Sequence, residues 1–252
     1  MKIKTTIFTI FFAILFSIVA FAQSLTVAVA ANVQYAFEEL KGEFTKDTGV
    51  EVKAVYASSG KITAQVEGGA PFDLFVSADM DYPQALEKEG MAYNSTKVYA
   101  YGKLVLWTMS DVDLSLGVES LVQETVRKIA IATPKTAPYG RGAVNALKYY
   151  GIYPKVSSKL VYGESIAQAS QFISTRAADA GFTAKSIVMA KNMQGKGKWV
   201  EVDSKAYDPI AQGAVILKHA RKNDLAAAQK LFDFLFSDKA RAIFEKYGYT
   251  LP

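Results

Sequence analysis

Residues 25–44, LTVAVAANVQYAFEELKGEF, change their apolar period part-way along. Leu25 to Ala30 form a short β-rich run, after which Val33, Ala36, Phe37, Leu40 and Phe44 recur three or four residues apart. The first pattern reads as a strand and the second as a helix with one apolar stripe. The same switch recurs downstream, with a strand over 50–56 and a helix over 59–67 closed by Gly68-Gly69, then a strand over 73–77 and a helix around 82–89. Three strand–helix units in series predict a parallel sheet.

A second series begins after the turn-rich stretch near Asn94. It has strands over 103–109, 129–133, 160–162 and 180–183 and helices over 140–150 and 166–175. A further strand over 210–217 precedes helices over 224–236 and 238–246, the last capped by Ser237 and followed by Gly248. The expected class is α/β: two lobes, each a mostly parallel sheet flanked by helices. The chain crosses between them near Tyr101 and returns near Ile210. Lobe 1 takes residues 23–101 and 211–252, lobe 2 takes 102–210, and the two crossings make a hinge.

At the start of the chain, Lys2 and Lys4 precede an apolar run from Ile7 to Ala22 that ends in Ala20-Phe21-Ala22. That is the pattern of a secretory signal peptide over 1–22, cleaved after Ala22. The run is shorter than the roughly 20 residues of a spanning helix, and polar Gln23 and Ser24 follow it. Removing the leader takes two lysines and no acid, which lowers the formal net charge from +5 to +3. So mild an excess helps to attract small anions, but the clustered Lys/Arg runs of a nucleic-acid binder are missing, so no nucleic-acid partner is expected. The chain has no cysteine, which excludes a disulfide framework, a thiol nucleophile and a thiolate metal site.

Four corners stand at helix starts: Ala30-Ala31-Asn32, Ala57-Ser58-Ser59-Gly60, Pro138-Tyr139-Gly140 and Gly163-Glu164-Ser165-Ile166. Open α/β sheets bind ligands outside the carboxyl ends of their strands. The first turn of a helix presents unpaired N–H groups and the positive end of a dipole. Taken singly, each corner is accounted for by ordinary capping and turn chemistry. Four that converge make an oxyanion cage, and the small residues Ala31, Ser58, Ser59 and Gly60 let a ligand approach the backbone closely.

Enzyme patterns are poorly represented. There is no G-x-S-x-G elbow, H-E-x-x-H helix or Walker loop, and Gly140-Arg141-Gly142 matches only part of a dinucleotide fingerprint. The single histidine, His219, lies among Lys218, Arg221 and Lys222 and reads as a surface residue. Asp73, Asp79 and Asp81 cluster near one strand end, where a metal site or an acid/base pair competes with plain caps and turns. Tyr149, Tyr150 and Tyr153, and Phe232, Phe234 and Phe236, are assigned mainly to packing.

Several stretches together resemble the periplasmic molybdate-binding proteins of molybdate ABC importers, which have the type II periplasmic-binding fold. They are 27–32 (VAVAAN), 56–60 (YASSG), 69–79 (GAPFDLFVSAD), 207–211 (YDPIA) and 244–249 (FEKYGY), the third being the most specific. The resemblance spans nearly the whole chain after the leader. It implies an oxyanion held by neutral donors: Asn32 and Ser59 in one lobe, and the backbone N–H groups of Tyr139 and Ile166 in the other. Ala31, Ser58, Gly60, Ala184 and Tyr207 are further candidates. Asn32 stands where many relatives carry Ser, and Ala184 where some place a tyrosine hydroxyl, so one donor of those relatives is missing here.

The resemblance further implies molybdate or tungstate as ligand, a membrane permease as partner and a monomer in the periplasm, without catalysis, cofactor or direct protein–metal bonds. Molybdate, tungstate and sulfate are dianions that only accept hydrogen bonds. A donor-only cage disfavours proton-bearing phosphate by about 1–3 kcal/mol. Two rivals stand beside this reading. One is a binding protein for another oxyanion (sulfate, chromate) or a small organic anion, the latter clamped by Arg141. The other is a secreted hydrolase using Ser59 or Ser165 with His219.

Overall fold

The computed structural model describes residues 24–252; the leader over 1–22 and its cleavage after Ala22 lie outside them. No helix among the described residues is long and apolar enough to cross a membrane. Ten strands run in chain order: β1 Ser24–Ala30, β2 Glu51–Ala57, β3 Leu74–Val76, β4 Lys97–Gly102, β5 Leu104–Thr108, β6 Ile129–Ala132, β7 Leu160–Gly163, β8 Ala180–Ala184, β9 Lys198–Glu201 and β10 Ile210–Ile216. The helices are α1 Gln34–Thr48, α2 Ser59–Glu67, α3 Asp81–Lys88, α4 Pro138–Tyr149, α5 Tyr153–Val156, α6 Ile166–Ser174, α7 Lys185–Val188, α8 Leu225–Phe234 and α9 Asp238–Lys246.

Two five-stranded sheets result, ordered β2-β1-β3-β10-β4 and β7-β6-β8-β5-β9. In the first, β1 runs parallel to β2 and β3, while β10 is antiparallel to β3 and β4. In the second, β6 runs parallel to β7 and β8, while β5 is antiparallel to β8 and β9. Each sheet therefore has one reversed strand, and the connectivity explains which. Lys103 alone separates β4 from β5, and residues 202–209 join β9 to β10. A chain that leaves one sheet at the carboxyl end of its strands enters the other at that same end, so the strand it enters must run backward.

The helix stripe read from the sequence is buried as expected: Val33, Ala36, Phe37, Leu40 and Phe44 are each no more than 1% exposed. Burial of each large apolar side chain contributes about 1.5–3 kcal/mol. Helix α1 stops at Gly49, whose positive φ of 72° lets its N–H reach Thr45 O. Ser237 caps α9 by accepting from Ala240 N–H. The one-turn helices α5 and α7 and the strands β4 and β9 are the elements that the sequence pattern did not announce. Both strands lie at sheet edges, short and partly exposed, and their pairing with a neighbour decides their state.

Two side-chain expectations need correction. Asp73 and Asp79 flank the three-residue β3 at opposite ends, so Asp73, Asp79 and Asp81 are not one cluster. No group of three or more His, Cys, Asp or Glu is placed to hold a metal among the described residues. His219 is half-buried, with Nδ1 2.9 Å from Asp73 Oδ1, rather than a free surface residue. Of the tyrosines, Tyr149 is 57% exposed and packs only edge-on against Tyr150.

Asp73 is fully buried and ties three segments together. It accepts from Thr26 N–H at 2.8 Å and Asn223 Nδ2 at 2.9 Å, and its carbonyl takes Leu217 N–H. Asp73→Ala keeps the carbonyl but leaves Thr26 N–H without its partner and takes the carboxylate from Asn223 and His219. It should destabilise the fold by about 2–4 kcal/mol, a fall in Tm of roughly 4–16 °C by scanning calorimetry. An unchanged Tm would show that the clamp carries no weight.

Candidate functional site

The carboxyl ends of β1, β2 and β3 and the starts of α2, α4 and α6 face one another across a small cavity. Its walls are Ala30 to Asn32, Ser58, Ser59 and Ala78 on one side and Ala137 to Tyr139 with Ile166 on the other. About 10 Å³ is open to the centre of a water-sized body, room for one such centre and hence for one compact group. No charged side chain lines it. Asn32, Ser59, Tyr139 and Ile166 are thus brought together, along with Ala31 and Ser58. Gly60, Ala184 and Tyr207 are not in the wall. The Gly60 N–H goes to Thr136 O at 3.0 Å, Tyr207 OH takes Leu104 N–H at 3.1 Å, and Ala184 is fully buried at the start of α7.

Apart from Asn32 Oδ1, which is buried without a partner, the polar groups that remain can donate. Ser59 and Ile166 open α2 and α6, and Tyr139 is the second residue of α4 after Pro138, so their N–H groups have no carbonyl four residues back. No carbonyl outside these helices takes them among the described residues. The Ser59 hydroxyl already accepts from Ala78 N–H at 3.0 Å and from Ser77 Oγ at 3.1 Å, which leaves its own hydrogen to give. Ser58 Oγ is buried without a partner. Each of the three helices adds roughly +0.5 elementary charge at its N-terminus. Together they match a dianion without any full cation.

Beneath Asn32 lies a buried polar layer that sequence reasoning missed. Asn32 Nδ2 donates to Gln212 Oε1 at 2.9 Å and to Tyr249 OH at 3.1 Å, and Gln212 Nε2 donates to Tyr139 OH at 3.1 Å. Tyr249 OH and Ser186 Oγ donate to the Asn32 carbonyl at 3.0 and 2.7 Å. Burial pushes the Tyr99, Tyr139 and Tyr249 phenols above their ordinary range, so all three stay protonated at neutral pH. One signal could have exposed the layer: a glutamine in the otherwise apolar strand IAQGAVI, since a buried polar residue needs a reason.

Arg141, the candidate carboxylate clamp, does not line the cavity. Its guanidinium pairs with Asp79, lies 3.4 Å from Asp81 Oδ2 and stacks over Tyr82 at 5.6 Å. Burial raises the Asp79 carboxyl above its usual range, and Arg141 pulls it the other way. This pair spans the two sheets' helices, as do Lys61 with Glu164 at 3.1 Å and Tyr82 OH on Lys135 O at 2.9 Å. The segments that flank the cavity are therefore joined by contacts whose charges are already matched.

Residues 25–250 match a family model described as bacterial extracellular solute-binding protein. The chain belongs to that family. This solute-binding protein is 40% identical over 231 residues, 91% of each chain, to the molybdate-binding protein ModA of Azotobacter vinelandii. It is 28% identical over 250 residues to the ModA of Escherichia coli K12, covering 95% and 94% of the two chains. The solved periplasmic molybdate-binding protein of Azotobacter vinelandii matches with a TM-score of 0.85 at 35% identity, over 90% of this chain and 99% of that one. The sulfate-binding protein SubI of Mycobacterium tuberculosis has the same fold, with a TM-score of 0.73 at 15% identity over 90% and 86% of the chains.

Gly140 seats the first turn of α4 on β6, because a Cβ there would stand 2.2 Å from Ala132 O and 2.8 Å from its carbonyl carbon. Gly42, exposed in mid-α1, has nothing within 4 Å. Gly140→Ala should therefore cost about 1–3 kcal/mol, whereas Gly42→Ala should stabilise by about 0.5–1 kcal/mol. Urea melts of the two variants give opposite signs if the close approach at α4 is real.

Proposed function

We propose that this protein captures molybdate or tungstate outside the cytoplasm and presents it to the permease of an ABC importer. One observation carries the reading: helix starts from both sheets, whose N–H groups no outside carbonyl takes among the described residues, meet at a cavity lined by no charged side chain. Tetrahedral dianions accept and do not donate, so they suit such a wall, and close relatives named for molybdate support the choice among them. Asn32, Ser59, Tyr139 and Ile166 are the proposed ligand contacts, with Ser58 and Ala31 completing the wall.

In this reading the chain is exported to the periplasm after cleavage behind Ala22, works as a monomer, and catalyses nothing. Its two sheets form lobes that hinge at Lys103 and at residues 202–209 and close on the guest. The hydrolase alternative lacks its base, because His219 is fixed to Asp73 at one end of β3 while Ser59 contacts Ser77 at the other. The organic-anion alternative lacks its clamp, because Arg141 is paired with Asp79 outside the cavity.

Thermal shift of the mature protein against molybdate, tungstate, sulfate, chromate and phosphate tests the reading. A ligand at 100 times its Kd adds about 2.7 kcal/mol. Molybdate and tungstate should raise Tm at the lowest concentrations and phosphate should fail; a panel without response from either heavy-metal oxyanion sinks the proposal. Ser59→Ala should weaken molybdate binding about 5- to 150-fold by calorimetry, the loss of about 1–3 kcal/mol for one donor to a charged acceptor. Because no titratable side chain of the wall ionises near neutrality, the Kd should stay flat between about pH 6 and 8.

A further inference from the structure

Gln212 is fully buried, and it stands at an irregularity of β10, where the register with β4 shifts between Gln212 and Gly213. Bulges of this kind re-aim a side chain next to functional sites. Here the side chain is aimed beneath Asn32, with Tyr99 OH 2.8 Å from its Oε1 and Tyr139 OH 3.1 Å from its Nε2. In this arrangement the polar layer has a defect. Asn32 Oδ1 is buried without a partner, and the single Tyr99 proton is shared between Gln212 Oε1 and Ser77 O, the latter at 3.0 Å. A buried acceptor left unpaired is destabilising, because its lost hydration is not replaced.

Turning the Asn32 amide alone does not mend it. That rotation sets the Asn32 oxygen against Gln212 Oε1 across 2.9 Å, two acceptors with no proton between them. Turning both amides does. Gln212 nitrogen then donates to Asn32 Oδ1 and to Tyr99, Gln212 oxygen accepts the Tyr139 proton, and Tyr99 donates to Ser77 O alone; Tyr249 OH, 3.1 Å from the same Asn32 atom, turns its proton to Oδ1 and leaves the Asn32 carbonyl to Ser186 Oγ. The same double rotation exchanges the atom of Asn32 that Gln212 does not hold, from an oxygen to a nitrogen carrying a hydrogen. Asn32 is part of the cavity wall, so this exchange replaces an acceptor by a donor there.

We infer that Gln212 is a positioning residue for anion capture: it sets which face of the Asn32 amide meets the guest, and the two amides turn as one unit. Tyr139, carried on α4 from the other sheet, completes the unit, so the donor setting of Asn32 depends on the two lobes being together. The inference rests on the proposed capture of a dianion, and it adds that a residue outside the cavity wall governs the donor count. An anion that brings no proton favours the nitrogen-inward setting, while the oxygen-inward setting suits a guest that donates.

The test is a double-mutant cycle on molybdate affinity, read by calorimetry in the wild type, Gln212→Leu, Asn32→Ser and the double variant. A leucine at 212 leaves Tyr249 OH as the remaining partner of the inner atom of the Asn32 amide and no longer fixes which way that amide turns, and should weaken molybdate binding about tenfold. A hydroxyl at 32 rotates freely and is too short to span to position 212. In the N32S background Q212L should therefore change the Kd by less than about twofold. An equal loss in both backgrounds, or no loss in either, overturns the inference, since a merely structural Gln212 ignores the residue at 32. Failure of the wild type to bind molybdate would instead strike the proposed function itself. If Q212L does not fold, Gln212→Met takes its place. Should N32S bind too weakly to titrate, Gln212→Glu decides, because a carboxyl donates when protonated and only accepts when ionised. Its Kd should rise with pH while the wild type stays flat, and a flat Q212E profile overturns the inference.

Discussion

The first turn of an α-helix leaves N–H groups that the helix cannot satisfy, and in this protein three such turns face one small cavity. The cost of leaving those groups dry is what the rest of the site is built around. Small residues at 31, 58 and 59 keep side chains from filling the space, and nearby carbonyls are already engaged: Ser59 O takes Thr63 Oγ1, and Thr136 O takes Gly60 N–H. A guest that supplies only lone pairs completes the accounting. The pull on its charge comes from oriented dipoles held by backbone geometry, which need no reorganisation when it arrives.

That convergence depends on how the chain is threaded. Both crossings leave from the carboxyl ends of parallel strands, so helix starts of both sheets are turned toward the same seam. The reversed strands β5 and β10 follow from this threading. β10 also carries Gln212 into the layer beneath Asn32, so a strand whose direction is set by topology delivers a polar group that the site uses. Tyr139 serves both levels, with its N–H in the cavity wall and its phenol on Gln212.

Much of the fold was legible because local pattern and tertiary environment agree. The stripe from Val33 to Phe44 is buried as its spacing predicts, and the β-rich runs before the corners are the adjacent parallel strands β1 and β2 of one sheet and β6 and β7 of the other. Strands β4 and β9 escaped because neither runs into an α-helix: each leads into a crossing between the sheets, and its state depends on a partner strand distant in sequence. The cavity corners at Asn32, Ser59, Tyr139 and Ile166 could be read, since a strand followed by small residues and a helix start is a local signature. Gly60 and Tyr207 carry the same motif resemblance yet bond elsewhere, to Thr136 O and Leu104 N–H. The His219–Asp73 contact and the Arg141–Asp79 pair join residues far apart in the chain, and no local period announces them.

A pocket walled by dipoles rather than by a fixed cation also shapes how cargo departs. An arginine left behind in an opened cleft would hold its counter-ion by long-range attraction and slow its escape. Amide and hydroxyl hydrogens exert no such reach, and as the seam parts, solvent can replace them one for one around the departing ion. Unloading then requires only mechanical separation of the halves, with no proton and no exchanged ion to drive it.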